Sequence, residues 1–424
     1  MLLGKRARVW ISGWRRCEIV ILLAVLLLCA CAKNEGKVEP PASDVKEVEE
    51  NKEAAGSFDK GYDLPVDEEE REEAERDCGV VMKLISDIYA QADKGEALNV
   101  VLPADTVLQM KKRVGESGWP VTTTTSYASM ENWKGVERFL KDCREGKIGA
   151  AAIYEIHSDG ALTRMKYSFD GTDMYVLTAI TCWTEEGQPE MADITYTRIK
   201  GWTYSEKGWF CYEVCVPEPP EVTEIVDGSC LVRIRPRNKK QRELSEKCVY
   251  GIGYQGNNLL CSNWDARHMQ ALDYNGLYEY LYAMKYGKKF NGEDYADGIP
   301  RAPFEKLIME YLPVSAEQIR KYAVFNTKKQ TYAWVRLGCF NYTPTFFSTS
   351  TPEVVHIKEN KDGTVTLTVE AVCDMVLCDE AVITHKLTVR LAEDGSFQYL
   401  GNKILHGGIK KIPDYEYRIR KEQQ

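Results

Sequence analysis

Cys261, Asp265 and His268 lie close enough along the chain to offer a thiol nucleophile, a carboxylate and a base. A base serves a thiol only if it reaches it directly or through one water. Cys–His enzymes assemble these groups from separated segments, so the short spacing reads better as a structural turn than as a catalytic pair. The remaining histidines are His157, His356, His385 and His406. None forms an H-x-x-x-H or H-E-x-x-H pattern, so a helical zinc site has no signal. His385, between Thr384 and Lys386 in an expected strand, reads as a sheet-face residue hydrogen-bonded to a neighbour. No G-x-x-x-x-G-K-[ST], G-x-G-x-x-G or G-x-S-x-G motif occurs, and Gly251-Ile252-Gly253 lacks the third glycine and the following helix. Residue types and spacing therefore assign no catalytic, cofactor-binding or metal-binding residue and imply no cofactor.

Cysteine is abundant, with 14 in the chain. Cys211 and Cys215 share a face of one expected strand but sit about 13 Å apart, beyond the ~7 Å Cα separation a bridge tolerates. Cys373 and Cys378 flank an expected turn and could close a small loop. Others, such as Cys78, occupy apolar phases and read as small core residues. Arg233, Arg235 and Arg237 alternate along an expected strand. Such a row could meet an anionic polymer, but Pro236 and the mixed charges beyond it favour a solvated edge strand. Trp202, Tyr204, Trp209 and Tyr212 cluster in one hairpin, and Tyr274, Tyr278, Tyr280, Tyr282 and Tyr286 crowd one helix. Flat amphipathic rings suit a glycan or peptide, while strands and helix faces also use them as core; core packing is the favoured reading.

The strongest chemical signal is Cys31. Lys5, Arg6, Arg8, Arg15 and Arg16 form a basic region, Ile19 to Leu28 is an unbroken apolar run, and the run closes on Leu28-Cys29-Ala30-Cys31. The run is too short to span a bilayer, which takes roughly 20 apolar residues, and suits a secretory signal. Leu at −3, a small residue at −1 and Cys at +1 form a lipobox, so residues 1–30 are expected to be removed and Cys31 to carry a diacylglyceryl group. Two lipid chains hold a protein stably at a membrane where one does not. The expected address is the extracytoplasmic face of the cell membrane, with the membrane itself as partner through Cys31. That address argues against nucleic acid as a partner.

Stepping outward from Cys31, residues 31–66 are rich in Glu, Lys, Pro, Ala, Ser and Gly and cannot bury enough surface to order. They read as a disordered acidic tether. The net charge of the chain is −9, and segments 1–31 and 32–77 carry +4 and −10, which leaves −3 for the remainder. That remainder is long enough for two domains, with the boundary at Val216-Pro217-Glu218-Pro219-Pro220 because clustered prolines bar helix and central strand.

The N-terminal domain, 67–218, is expected to begin with a helix from an Asp67 cap, whose Ala74, Cys78, Val81, Ile85 and Ile88 form one stripe. Two shorter helices follow near Ala104 to Val114 and Met130 to Arg144, the second capped by Ser129. Strands are expected at Ala150 to Ile156, Leu162 to Phe169, Met174 to Trp183, Ala192 to Ile199 and Trp209 to Val216, joined by short Gly turns as a meander. Helices on one face of such a sheet give an α+β architecture. The C-terminal domain, 219–424, repeats that order. A strand at Cys230 to Arg235 is followed by helices at Leu277 to Tyr286, Pro303 to Tyr311 and Ala316 to Phe325. Strands then come at Thr331 to Gly338, Val354 to Lys358, Thr364 to Cys373, Ala381 to Leu391 and Phe397 to Ile404.

Trp264-Asp265, Leu272-Asp273-Tyr274-Asn275, Ile299-Pro300 with Phe304-Glu305, Asn360 to Thr364, Thr384 to Arg390 and Gly395 to Asn402 resemble the landmarks of a family of uncharacterised clostridial lipoproteins. The resemblance runs from Tyr250 to Ile404 and implies an exported lipoprotein without assigning a site. Address, tether and two sheet-based bodies together point to a non-enzymatic protein that binds a ligand, or a protein, peptide or glycan partner, at the cell envelope. The alternative is an envelope hydrolase or transferase with a dispersed active site.

Overall fold

The computed structural model describes residues 60–95, 99–124, 129–338, 341, 350–373, 381–406, 412 and 414–419. Cys31, the signal segment and the tether lie outside them up to residue 59, as does Cys378. Residues 59–337 and 341–424 belong to one compact unit.

Two helices open the fold. α1, Glu68–Gln91, buries Ala74, Cys78, Val81, Met82, Ile85 and Tyr89, the stripe that three- and four-residue spacing produces on one helix face. Its acidic first turn complements the helix dipole, although Asp67 makes no side-chain cap bond. α2, Ala104–Glu116, buries Val107, Met110 and Val114 together with Lys111.

The chain then enters a seven-stranded sheet ordered β1 to β7 along the sequence. β1, Val121–Thr123, pairs parallel with β2, Gly149–Ile156, and α3, Lys134–Arg144, lies between them in the chain. β3, Leu162–Phe169, β4, Met174–Trp183, β5, Pro189–Tyr204, β6, Trp209–Val214, and β7, Ser229–Arg233, complete an antiparallel meander. The turn at Asp159-Gly160 requires its glycine twice over: φ is +83°, and a Cβ there would stand 2.8 Å from the Tyr89 ring. Tyr89 stacks on Trp183 at 4.4 Å, and the Trp183 indole donates to the Gly160 carbonyl.

Both faces of this sheet are covered, where helices on one face were expected. Tyr154, Ile156, Leu162 and Leu177 meet α1 and α2. Ile153, Met165, Tyr167 and Val176, on the opposite pleat, meet α3. The cause lies in β3, which is buried along nearly its whole length and so must be covered on both sides.

The strand expected to open the C-terminal domain is instead β7, the last strand of the first sheet, with Tyr212 paired to Cys230 and Trp209 to Arg233. The proline cluster is a crossing loop within this sheet and not a boundary between the two sheets. α4, Lys239–Ser245, follows and continues into a single wide turn, Glu246–Tyr250. It docks on the second sheet, where Gln241 donates to the Val355 carbonyl and the Ser245 hydroxyl accepts from the Val354 amide.

The second sheet is ordered β12-β13-β14-β15-β8. Its strands are β8, Trp264–Asp265, β12, Thr351–Glu359, β13, Val365–Val372, β14, Ile383–Leu391, and β15, Phe397–Ile404. Helices α5, Tyr274–Tyr286, α6, Arg301–Tyr311, and α7, Ala316–Tyr322, share one continuous core with it. α7 begins with a capping box, Ser315 with Gln318. Three two-residue strands, β9, Ile299–Pro300, β10, Phe325–Asn326, and β11, Thr331–Tyr332, form a small separate sheet. The strand expected over Thr331 to Gly338 stops at Tyr332. The fold is α+β, with seven helices and fifteen strands among the described residues.

Candidate functional site

A cleft of about 480 Å3 opens beside the first sheet. One wall is the segment that returns from β1 to α3. Glu131 exchanges backbone hydrogen bonds with Val121, and Asn132, at a φ of +52°, donates its amide to the carbonyls of Gly115 and Trp119. The segment is thereby pinned to the end of α2. Ser129, Met130, Trp133 and Lys134 line this wall, and Pro236, from the connection between β7 and α4, and Arg242, on α4, line the other.

Lys111 lies beneath the first wall. Its residue is 6% exposed, its ammonium is 2.9 Å from the Ser129 hydroxyl, and the Glu131 carboxylate is 3.7 Å away. Burial pushes the Lys111 pKa down, Glu131 opposes that shift, and Arg242 adds like-charge repulsion. The lining therefore carries two cationic side chains, Lys134 and Arg242, and one carboxylate, Glu131, whose ion-pair partner is the buried Lys111. Trp133 and Met130 supply apolar area beside them. Such a lining can hold a small group with negative charge and an apolar body.

A second, smaller concavity of about 300 Å3 lies on the other sheet, between Lys247, Met284, Glu310, Tyr311 and Phe397. Its charges are committed internally: Lys285 pairs with Glu310, and Lys247 lies 5.8 Å from the Phe397 ring centre.

The residues singled out from sequence go elsewhere. Cys261 is buried, its thiol donates to the Asn257 carbonyl, and burial pushes its pKa up to about 12. Asp265 and His268 pair with each other at the surface, 2.9 Å apart. A deeply protonated thiol facing a backbone carbonyl is no nucleophile, and Asp265 and His268 close a turn of their own, the His268 amide donating to the Asp265 carbonyl.

His385 is fully buried on β14 and makes two hydrogen bonds, Nδ1 to Asn402 Oδ1 at 2.6 Å and Nε2 to Tyr254 Oη at 3.0 Å. Asn402 spends its amide protons on the carbonyls of Leu260 and Ser262, so its oxygen must accept. That fixes the proton on Nδ1 and makes Nε2 the acceptor of the Tyr254 hydroxyl. Burial lowers the His385 pKa to about 4.

The arginine row lies on and just beyond the edge strand β7, as expected, but its side chains are engaged by partners within the chain rather than solvated. Arg233 forms a bidentate pair with Glu353 of β12, donates to the Lys207 carbonyl and lies 4.3 Å over the Trp209 ring. Arg237 reaches the same carboxylate at 3.1 Å, and Arg235 reaches Glu137 at 3.3 Å. Arg233 and Arg237 thus join the two sheets, alongside Lys207 with Glu370 and the contact of Trp209 and Cys211 with Val372, whereas Arg235 stays with α3 on the first sheet.

The aromatic clusters are mainly core. Tyr167 and Tyr212 share a buried hydrogen bond of 3.1 Å, Tyr204 donates to Glu137, and Tyr278 stacks on Phe304 at 4.8 Å. Only the end of α5 surfaces, where Tyr286 is 52% exposed. Cys78, Cys143, Cys248 and Cys261 are buried free thiols, and the expected Cys373–Cys378 loop involves a residue outside those described. Among the described residues no helix is long and apolar enough to cross a membrane, and no three His, Cys, Asp or Glu side chains gather as a metal site.

Sequence reasoning passed over Lys111 and gave Ser129 a different task, the cap of α3. That helix instead starts at Lys134 with Trp133 as its first flanking residue. One signal was present: Lys111 falls in the same apolar phase as Val107, Met110 and Val114, a lysine where a hydrophobe belongs.

This arrangement defines an α+β protein with a cationic cleft beside its first sheet. The chain belongs to DUF6070, a family of unknown function, which it matches over residues 71–418. The match takes in the first sheet as well as the second, so both sheets are family features. No curated protein and no solved structure matches the chain.

Proposed function

We propose that this chain is a lipid-anchored protein of the extracytoplasmic membrane face, tethered through Cys31, whose body binds an anionic component of the cell envelope in the cleft between Ser129 and Arg242. The lipobox at Leu28-Cys29-Ala30-Cys31 and the acidic stretch behind it support the anchor, as does the resemblance to clostridial lipoproteins. The observation that carries the binding reading is the charge of the cleft, whose lining holds Lys134 and Arg242 with one carboxylate, Glu131, that is itself drawn to the buried Lys111. With Glu131 drawn to Lys111, the lining keeps an excess of positive charge that a carboxylate or phosphate from outside would neutralise. Trp133 offers a flat apolar surface for the body that bears that group.

Two measurements test this. Labelled palmitate should enter the full chain and be lost on Cys31→Ser; incorporation that survives this change refutes the anchor. Thermal unfolding of the full chain in detergent should shift upward with inorganic phosphate or acetylated sugar acids, by about 2.7 kcal/mol of added stability at one hundred times the dissociation constant. Arg242→Ala should remove the shift. A shift of the same size in that variant would move the ligand out of the cleft.

A further inference from the structure

We propose that Ser129 is a nucleophile and Lys111 its general base, so that the cleft transfers or hydrolyses an acyl group as well as binding an anion. This rests on the reading of the cleft as the ligand site. The geometry is that of a hydroxyl and an amine in direct hydrogen-bond reach, 2.9 Å, with Ser129 lining the cleft and Lys111 buried behind it.

The short polar contact of Lys111 is to the Ser129 oxygen. The Glu131 carboxylate at 3.7 Å is beyond hydrogen-bond length and its side chain is 54% exposed, so water screens it. Burial of the ammonium is unfavourable, and the screened Glu131 offsets only part of that cost. Loss of one proton removes the charge and leaves a lone pair aimed at the Ser129 hydroxyl. A lysine serving only as a strut would be better placed with its head in water. Lys–Ser pairs of this kind can replace the histidine of a triad.

The substrate class is an ester whose acyl or alcohol portion bears a carboxylate or phosphate, held by Arg242 and Lys134. Ser129 Oγ bonds to the ester carbonyl carbon as its proton passes to Lys111 Nζ. The carbonyl oxygen takes up negative charge, which the cationic walls favour. Collapse breaks the bond to the alcohol oxygen, and that oxygen takes the proton from Lys111. Water then attacks the acyl-serine, again giving its proton to Lys111, which returns it to Ser129 as the acid leaves. The sum is ester plus water to acid plus alcohol.

The test uses the full chain in detergent and a fluorophosphonate probe. Serine attack on phosphorus expels fluoride, and mass spectrometry should place the adduct on Ser129. Ser129→Ala should remove it. Lys111→Met and Lys111→Arg should each slow labelling by about 100-fold or more, the range general-base assistance supplies, and the wild-type rate should climb with pH as Lys111 loses its proton. Absence of the Ser129 adduct, or equal rates in wild type and Lys111→Arg, overturns the proposal. If Lys111→Met fails to fold, the wild-type pH profile decides, and a flat profile counts against Lys111 as base. A phosphate-induced thermal shift without labelling sinks this inference alone, whereas loss of that shift as well sinks the binding reading beneath it.

Discussion

The two sheets solve the same problem, burying polar side chains under helices, with different chemistry. The first docks α1 through ions: Arg164 on β3, 1% exposed, reaches Glu73 and Asp77, while Lys166 two residues on reaches Glu70 and Glu73. The acids stand at helical spacing and the bases at strand spacing, so one helix face reads one sheet face. Strands β14 and β15 of the second sheet bury a neutral network instead, with Tyr254, His385 and Asn402 in one chain and Tyr399 donating to the Cys248 carbonyl. Ion pairs at a helix–sheet seam tolerate water at their edges, whereas a neutral network demands that every donor and acceptor be matched. The first sheet should therefore answer to salt and the second to pH.

The seam between the sheets should give the largest effect. Arg233 and Glu353 have side chains only 2% exposed each. Arg233→Met strands a buried carboxylate, and breaking one side of such a pair costs about 3–5 kcal/mol. Burial and the neighbouring Glu370 already push the Glu353 pKa up, and the two guanidiniums hold the charge in place. Urea unfolding should show this loss, and the double change Arg233→Met with Glu353→Met should recover part of it. A double variant no better than the single would mean that shape, not charge, joins the sheets.

His385 gives the second effect. Its folded pKa of about 4 lies below the ordinary value of 6.5, so the folded state resists protonation. Above pH 6.5 both states hold a neutral imidazole and the group is silent. As pH falls below 6.5 the unfolded chain takes up a proton that the folded chain refuses, and stability falls until about pH 4. The span corresponds to roughly 3 kcal/mol. His385→Asn, which cannot titrate, should flatten this part of the stability–pH curve. A wild-type curve already flat between pH 6.5 and 4 would show that water reaches the ring.

Local pattern was readable wherever local forces decide. The bounds of β3, β4 and β15 coincide with those read from alternation and glycine turns, and the apolar stripe of α1 is the one its spacing lays out. Errors cluster where a distant partner decides. Ser229–Arg233 has the composition of any strand, and only its pairing with β6 assigns it to the first sheet. β5 runs from Pro189 to Tyr204, well past the expected Ile199, because it changes partner from β4 to β6 through an irregularity between Ile199 and Gly201. The cleft was illegible for the same reason. Lys111, Ser129 and Arg242 come from three separate segments, and no spacing rule joins them. The arginine row misled because alternation reveals a shared face but not whether water or Glu353 stands opposite.

The smallest effect should fall on the first sheet. Lys166 is partly exposed, with Glu70 and Glu73 more so, so solvent screens the cluster. Lys166→Met should cost about 1 kcal/mol and, unlike the His385 effect, the cost should shrink as salt rises toward 1 M, where the Debye length is about 3 Å. Arg164 provides the internal control, since its burial shields it and its contribution should survive the same salt. Denaturation of both variants at low and high salt measures the contrast. Equal salt dependence for the two positions would mean that the seam between α1 and β3 is uniformly wet, and the distinction between an ionic and a neutral interior would then rest on the second sheet alone.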